Sequence, residues 1–219
     1  MRTGTARRLA AGAAAAALAA GTLLSAAPAT AAPDETGQEN RGMRLTAFDA
    51  RVAEAHGYRI VILPDGATAS VPASLAAAAE SGTYVPTSGV IPAEPAEGDM
   101  STSDYGAADG DCGMSWVSLE ARGGSKATLL TGMALRPDAG DPWDVHWNVN
   151  ISDPGGSSTQ SYSEGQGTSG LLTWTAYARI LGLTKGYAFA TVVWYSSYTV
   201  TDNGWVCWSA GPTTSEKIT

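Results

Sequence analysis

The sequence is short of most residue types that announce a chemistry. Its 219 residues include two cysteines, too few for a disulfide-dense miniprotein or a cysteine-rich zinc module. Basic residues are also scarce: 13 Lys and Arg stand against 21 Asp and Glu, a formal net charge of −8. Phosphate contacts need clustered Lys and Arg, so this balance excludes a nucleic-acid-binding protein. Charged residues of both signs make up 16 % of the chain and apolar ones 44 %, which excludes wholesale disorder. No P-loop, H-E-x-x-H or G-x-S-x-G occurs, and with two histidines imidazole chemistry is confined to His56 and His146.

Long apolar runs are missing too, apart from one at the N-terminus. Residues 1–31 read as a signal peptide, with Arg2, Arg7 and Arg8 ahead of an uncharged, Ala-rich stretch from Leu9 to Leu24. Ala29-Thr30-Ala31 then places small residues where a signal peptidase cuts. The stretch is short and weakly apolar for a spanning helix, and no second one follows, so the expectation is a secreted chain with no stable membrane anchor. The general secretory route is favoured over twin-arginine export, because no strong hydrophobic pair follows Arg7-Arg8. Cleavage removes three basic residues and no acidic one, leaving an acidic chain that stays soluble.

What remains divides by composition into residues 32–85, 86–108 and 109–219. Residues 32–42 are polar and read as a loose arm. Leu45, Phe48, Val52 and Ala55 then recur at helical spacing up to Gly57. Tyr58 to Leu63 and Ala67 to Val71 read as a hairpin about Pro64-Asp65-Gly66, and Ser74 to Glu80 as a second short helix. This helix–hairpin–helix unit is too small to bury a strong core alone. Pro, Gly and acidic residues without periodicity mark 86–108 as a linker.

From Asp109 every signal is β. Cys112 to Glu120, Lys126 to Leu135, Trp143 to Ser152, Thr159 to Ser163, Leu171 to Leu181, Tyr187 to Val200 and Trp205 to Ser209 are rich in Thr, Val, Tyr and Trp. Gly- and Pro-containing turns separate many of them, and Asn203-Gly204 predicts a type I′ hairpin. The expectation is a mainly β protein: an antiparallel sandwich of about seven strands with a small N-terminal α/β extension. Trp143, Val145, Trp147, Val149 and Ile151 alternate with Asp144, His146, Asn148 and Asn150, so one face is core and the other solvated or functional. Cys112 and Cys207 form an even pair in an oxidising compartment and are expected to form a disulfide, closing a loop of about 95 residues. The alternative, a reactive thiol, lacks a neighbouring His or Lys to lower its pKa.

Several segments carry a resemblance: Leu63-Pro64-Asp65-Gly66, Ala69-Ser70-Val71-Pro72, Asp111-Cys112-Gly113-Met114-Ser115-Trp116-Val117, Trp143 to Val149, and Gly204-Trp205-Val206-Cys207-Trp208-Ser209 before Gly211-Pro212. Together they resemble a family of uncharacterised secreted proteins of actinomycete bacteria. The resemblance covers most of the mature chain. It implies export and one disulfide in a C-terminal all-β domain, and it brings no catalytic residues.

Candidate chemistry is therefore read from the residues alone. Gly165-Gln166-Gly167-Thr168-Ser169-Gly170 matches G-x-G-x-x-G, but a strand follows it instead of a helix, so a loop is the better reading. Asp99, Asp104, Asp109 and Asp111 cluster without the offsets of a calcium loop. His56 falls at a helix end. Asp144 and His146 share a strand face, where a Ser from a neighbouring strand would complete a triad. No metal or other cofactor is expected. All seven Trp lie between residues 116 and 208, and neighbours of opposite parity such as Trp205 and Trp208 cannot all face one core. Trp174, Tyr177, Trp194, Trp205 and Trp208 are the candidate aromatic binding residues, and Asp144, His146, Asn148 and Asn150 the candidate polar face. The leading expectation is a non-catalytic extracellular module that binds a glycan or a protein. The alternatives are a hydrolase using His146 and Asp144, and a small secreted inhibitor.

Overall fold

The computed structural model describes residues 38–93, 110–165 and 171–219. The expected signal peptide, the Gly-rich motif after Gly165, and Asp99, Asp104 and Asp109 lie outside the described residues. The protein is mainly β. Its strands are β1 (Gln38–Phe48), β2 (Tyr58–Ile62), β3 (Thr68–Pro72), β4 (Val90–Ile91), β5 (Gly113–Ala121), β6 (Lys126–Leu135), β7 (Pro142–Asp153) and β8 (Gly156–Gly165). After these come β9 (Thr173–Thr175), β10 (Arg179–Gly182), β11 (Gly186–Val192), β12 (Tyr198–Thr201), β13 (Trp205–Ser209) and β14 (Thr213–Ile218). Among the described residues, two short α-helices, α1 (Ala50–Ala55) and α2 (Ala76–Glu80), flank β2 and β3.

Eleven strands form one antiparallel sheet in the order β10-β6-β5-β1-β13-β12-β7-β11-β14, with β8 on β7 and β9 on β6. The sheet folds over into a sandwich. β11 and β14 pack on β5, and Trp147 of β7 meets Trp174 of β9 at 5.7 Å between ring centroids. Trp147 is fully buried and donates its indole N–H to Thr131 Oγ1 at 2.9 Å. Thr131 in turn donates to the Trp116 carbonyl at 2.8 Å, so the core's polar atoms are passed along a chain. Cys112 and Cys207 are both buried and disulfide-bonded, pinning the entry to β5 across β1 to β13.

The strand count exceeds seven for identifiable reasons. Leu171 to Leu181 and Tyr187 to Val200 are each broken into two strands, β9–β10 and β11–β12, and β1 and β14 are additional. β1 replaces both the loose arm after Gln38 and the start of the expected helix. It runs between β5 and β13, with a register shift between Leu45 and Ala47. That bulge brings Leu45 and Phe48, three positions apart, onto the same core. A bulged strand thus imitates helical spacing, and only Ala50–Ala55 is helical. α1 is capped by Asp49, whose carboxylate accepts from Val52 N at 3.0 Å.

β7 keeps its alternation from Val145 to Ile151, with Val145, Trp147, Val149 and Ile151 buried. Trp143 departs from it. The ladder with β12 steps from Asp144 to Pro142, leaving Trp143 without an opposite residue. Its ring packs against His56 at 4.2 Å instead. The Asn203-Gly204 hairpin forms, but not as a type I′ turn: Gly204 alone of the pair has positive φ, at 83°. Gly204 N donates to Thr201 O at 2.8 Å, and the buried Asn203 side chain accepts from Trp205 N and donates to the Asp138 carbonyl. Tying that side chain into the turn holds Asn203 at negative φ, and the Gly takes the left-handed position alone.

The small sheet, in the order β2-β3-β4, and its helices bury Val61, Leu63, Ala67, Ala69, Val71, Ala76 and Ala79. It docks on the sandwich through Ser70, which donates to the Asn203 carbonyl, and through Asp49 N, which donates to Gly204 O. Residues 86–93, expected as linker, instead include β4 and a strap across Trp205. Gly89 lies over that indole at φ +65°, and an added Cβ would sit 2.1 Å from Trp205 Cζ2. Gly89→Ala is therefore expected to destabilise the protein by about 1–3 kcal/mol. A urea midpoint equal to wild type would show that the strap is not packed on Trp205.

Candidate functional site

The outward face of the sheet is built by register. Across β13, β12, β7 and β8, Trp208 pairs with Tyr198, Tyr198 with His146, and His146 with Ser163. Directly opposed residues share a face, so these side chains form one row. Their rings stack in series: Tyr198 on Trp208 at 4.7 Å and 29°, and His146 on Tyr198 at 4.8 Å and 22°. Burial, and secondarily the Asp144 charge, hold the Tyr198 hydroxyl above its ordinary pKa, so it stays a neutral donor.

Beyond the row rises the segment between β11 and β12. Trp194 and Tyr195 are 60 % and 63 % exposed, and their rings meet edge to face at 5.4 Å. Gly211 makes room for this wall, since a Cβ there would lie 3.2 Å from Trp194 Cβ. An open cleft of about 440 Å³ separates the wall from Trp208, Arg44, Thr46, Ser209 and Ala210. The geometry separates rings covered by their neighbours from rings open to solvent. The rings in the row stack face to face on one another, whereas Trp194 and Tyr195 meet only edge to face and stay largely exposed.

The remaining candidates are placed plainly. Trp174 and Trp205 are buried, at 3 % and 2 % exposure, and leave the aromatic surface. Trp174 is drawn inward by Trp147 and by Glu164, which accepts its indole N–H at 2.8 Å. Trp205 lies under the small sheet's strap. Tyr177 is exposed but not part of the cleft lining; its ring meets that of Tyr162 at 5.2 Å, and the Arg179 guanidinium lies 5.0 Å from it. Asp144, His146, Asn148 and Asn150 do share the outward face. Asn148 is committed to Ser196, donating to its carbonyl at 2.9 Å, and Asn150 accepts from Thr159 at 2.7 Å. Tyr198 was not singled out in the sequence; its outward parity is visible only once the chain is broken between β11 and β12.

Asp144 Oδ2 lies 3.2 Å from His146 Nε2, with the two side chains 40 % and 44 % exposed. This supplies a base and an orienting carboxylate. Ser163 stands opposite His146, yet no hydroxyl among the described residues is hydrogen-bonded to the imidazole. Asp111 is occupied as an acceptor for Leu45 N and Cys112 N. Among the described residues no group of three metal-ligating side chains converges, and no helix is long and apolar enough to cross a membrane.

Fold and face together define a disulfide-stapled β-sandwich with an aromatic cleft on its outer surface. No protein-family model, no curated protein and no solved structure matches the chain.

Proposed function

We propose that the protein is a secreted, non-catalytic binding module whose ligand is a carbohydrate. The observation that carries this reading is the cleft in which Trp194 and Tyr195 offer ring faces opposite Trp208. Sugar C–H faces stack on such rings, while polar side chains at the rim, here Thr46 and Arg44, take sugar hydroxyls. A protein partner is the other ligand class the aromatics suit, and a carbohydrate is favoured because the cleft sets its rings beside the Thr46 hydroxyl and the donor-rich Arg44 side chain, with no carboxylate in its lining. Secretion is supported by the N-terminal segment and by the disulfide, which belongs to an oxidising compartment.

Trp194 is the one exposed Trp of seven, so it dominates acrylamide quenching of the fluorescence. Titration of the mature chain with soluble plant and cell-wall polysaccharides is expected to protect it. Trp194→Ala is expected to remove that protection and weaken binding by about 2 kcal/mol, roughly thirtyfold. Binding unaffected by this substitution would remove the cleft as the site.

A further inference from the structure

The face that carries the cleft continues well past it. β11 points Tyr187 and Phe189 outward, 62 % and 46 % exposed, between inward Ala188 and Ala190. Phe189 is opposed by Ser152 on β7 and by Ser215 on β14, Thr191 by Asn150 and Thr213, and Tyr187 by Lys217. Behind β7, the outward positions of β8 are Ser157, Thr159, Ser161 and Ser163. A column of aromatics is thus flanked on both sides by hydroxyls and amides. The chain carries 21 acidic residues, yet Asp144 and Lys217 are the only Asp, Glu, Lys or Arg at the outward positions of β7, β8, β11 and β14, one at each end.

We infer that the ligand is an extended, uncharged polysaccharide chain lying along β11, held at one end in the Trp194–Tyr195 cleft and at the other on a second aromatic subsite formed by Phe189 and Tyr187. This rests on the carbohydrate reading above and specifies its ligand. Charge complementarity argues for it: in an acidic chain, this face carries one carboxylate, Asp144, balanced by Lys217 and by Arg44 at the cleft, and so presents little net charge to a neutral partner. Polyhydroxylated chains match alternating ring faces and hydrogen-bonding side chains. Size argues for a polymer. Tyr187 and Trp194 are seven residues apart, at most roughly 23 Å at strand rise, which a single sugar ring cannot bridge. Two weak subsites joined by one chain reinforce each other through effective concentration.

The test compares short and long neutral sugars on the mature protein: cellotriose and chitotriose, their hexaoses, and the polymers hydroxyethylcellulose and glycol chitin. The hexaose or polymer of one series is expected to bind about tenfold or more tightly than its triose. Tyr187→Ala/Phe189→Ala is expected to lower polymer affinity about tenfold and bring the polymer-to-triose ratio toward one. Both residues are exposed, so an unchanged thermal midpoint shows that the fold survives; Ile180→Ala, an exposed apolar residue on β10, serves as the control that leaves affinity intact. Equal affinity for triose and polymer, or polymer binding indifferent to the double substitution, overturns the extended track and leaves the carbohydrate reading standing. Tighter binding of carboxymethylcellulose than of hydroxyethylcellulose overturns the uncharged ligand. No saturable binding of any of these sugars overturns the carbohydrate reading itself.

Discussion

Replacing both cysteines, as Cys112→Ser/Cys207→Ser, is expected to lower the stability by about 4–5 kcal/mol. The bridge joins residues 95 apart in sequence, so its loss frees a long loop in the unfolded chain. Both residues are fully buried, and the hydroxyls that replace the sulfurs add a burial cost of their own. At about 2–4 °C per kcal/mol for a chain of this size, the melting temperature is expected to fall by roughly 10 °C or more. Calorimetry of wild type and variant, and of wild type with reductant, measures it. A melting temperature unchanged in the variant would mean that β1, lying between the bridged segments, already fixes β5 and β13.

Trp147→Ala is the second large loss, expected at about 3–5 kcal/mol in urea unfolding. The side chain is wholly buried and reaches from β7 across to the other half of the folded-over sheet, at Trp174 on β9 and Thr131 on β6. Trp147→Phe retains most of the packing but withdraws the donor from Thr131, which costs about 1–2 kcal/mol. A double-mutant cycle of Trp147→Phe with Trp174→Phe reads the contact between the halves, with a coupling of about 0.5–1.5 kcal/mol. Zero coupling would place the two rings apart and the sandwich more open than described.

The elements legible in the sequence are those whose period is unbroken. β7 shows its faces from Val145 to Ile151 because no bulge interrupts them, and β2–β3 is legible because Gly66 and Asp65 fix its turn. β1 was hidden by its own bulge: Leu45 and Phe48 reach the core at a spacing that a helix also produces. The division of β11 from β12 was hidden because Trp194-Tyr195-Ser196-Ser197 contains neither Gly nor Pro. The same gap concealed part of the site. Trp194 and Trp208 could be named from composition and parity, but Tyr198 could not, and nothing local shows that the polar face of β7 and the aromatics of β11–β13 belong to one surface. Only the register brings them together.

β1 has a consequence for how the chain is made. One of its edges is satisfied by β5, but the other waits for β13, encoded close to the C-terminus. The sheet therefore has an internal vacancy until β13 has been delivered, and closing it joins segments more than 150 residues apart. Folding of this topology has one late completion event. A ribosome that releases the chain from its N-terminus leaves β1 with an open, pairing-competent edge until that moment.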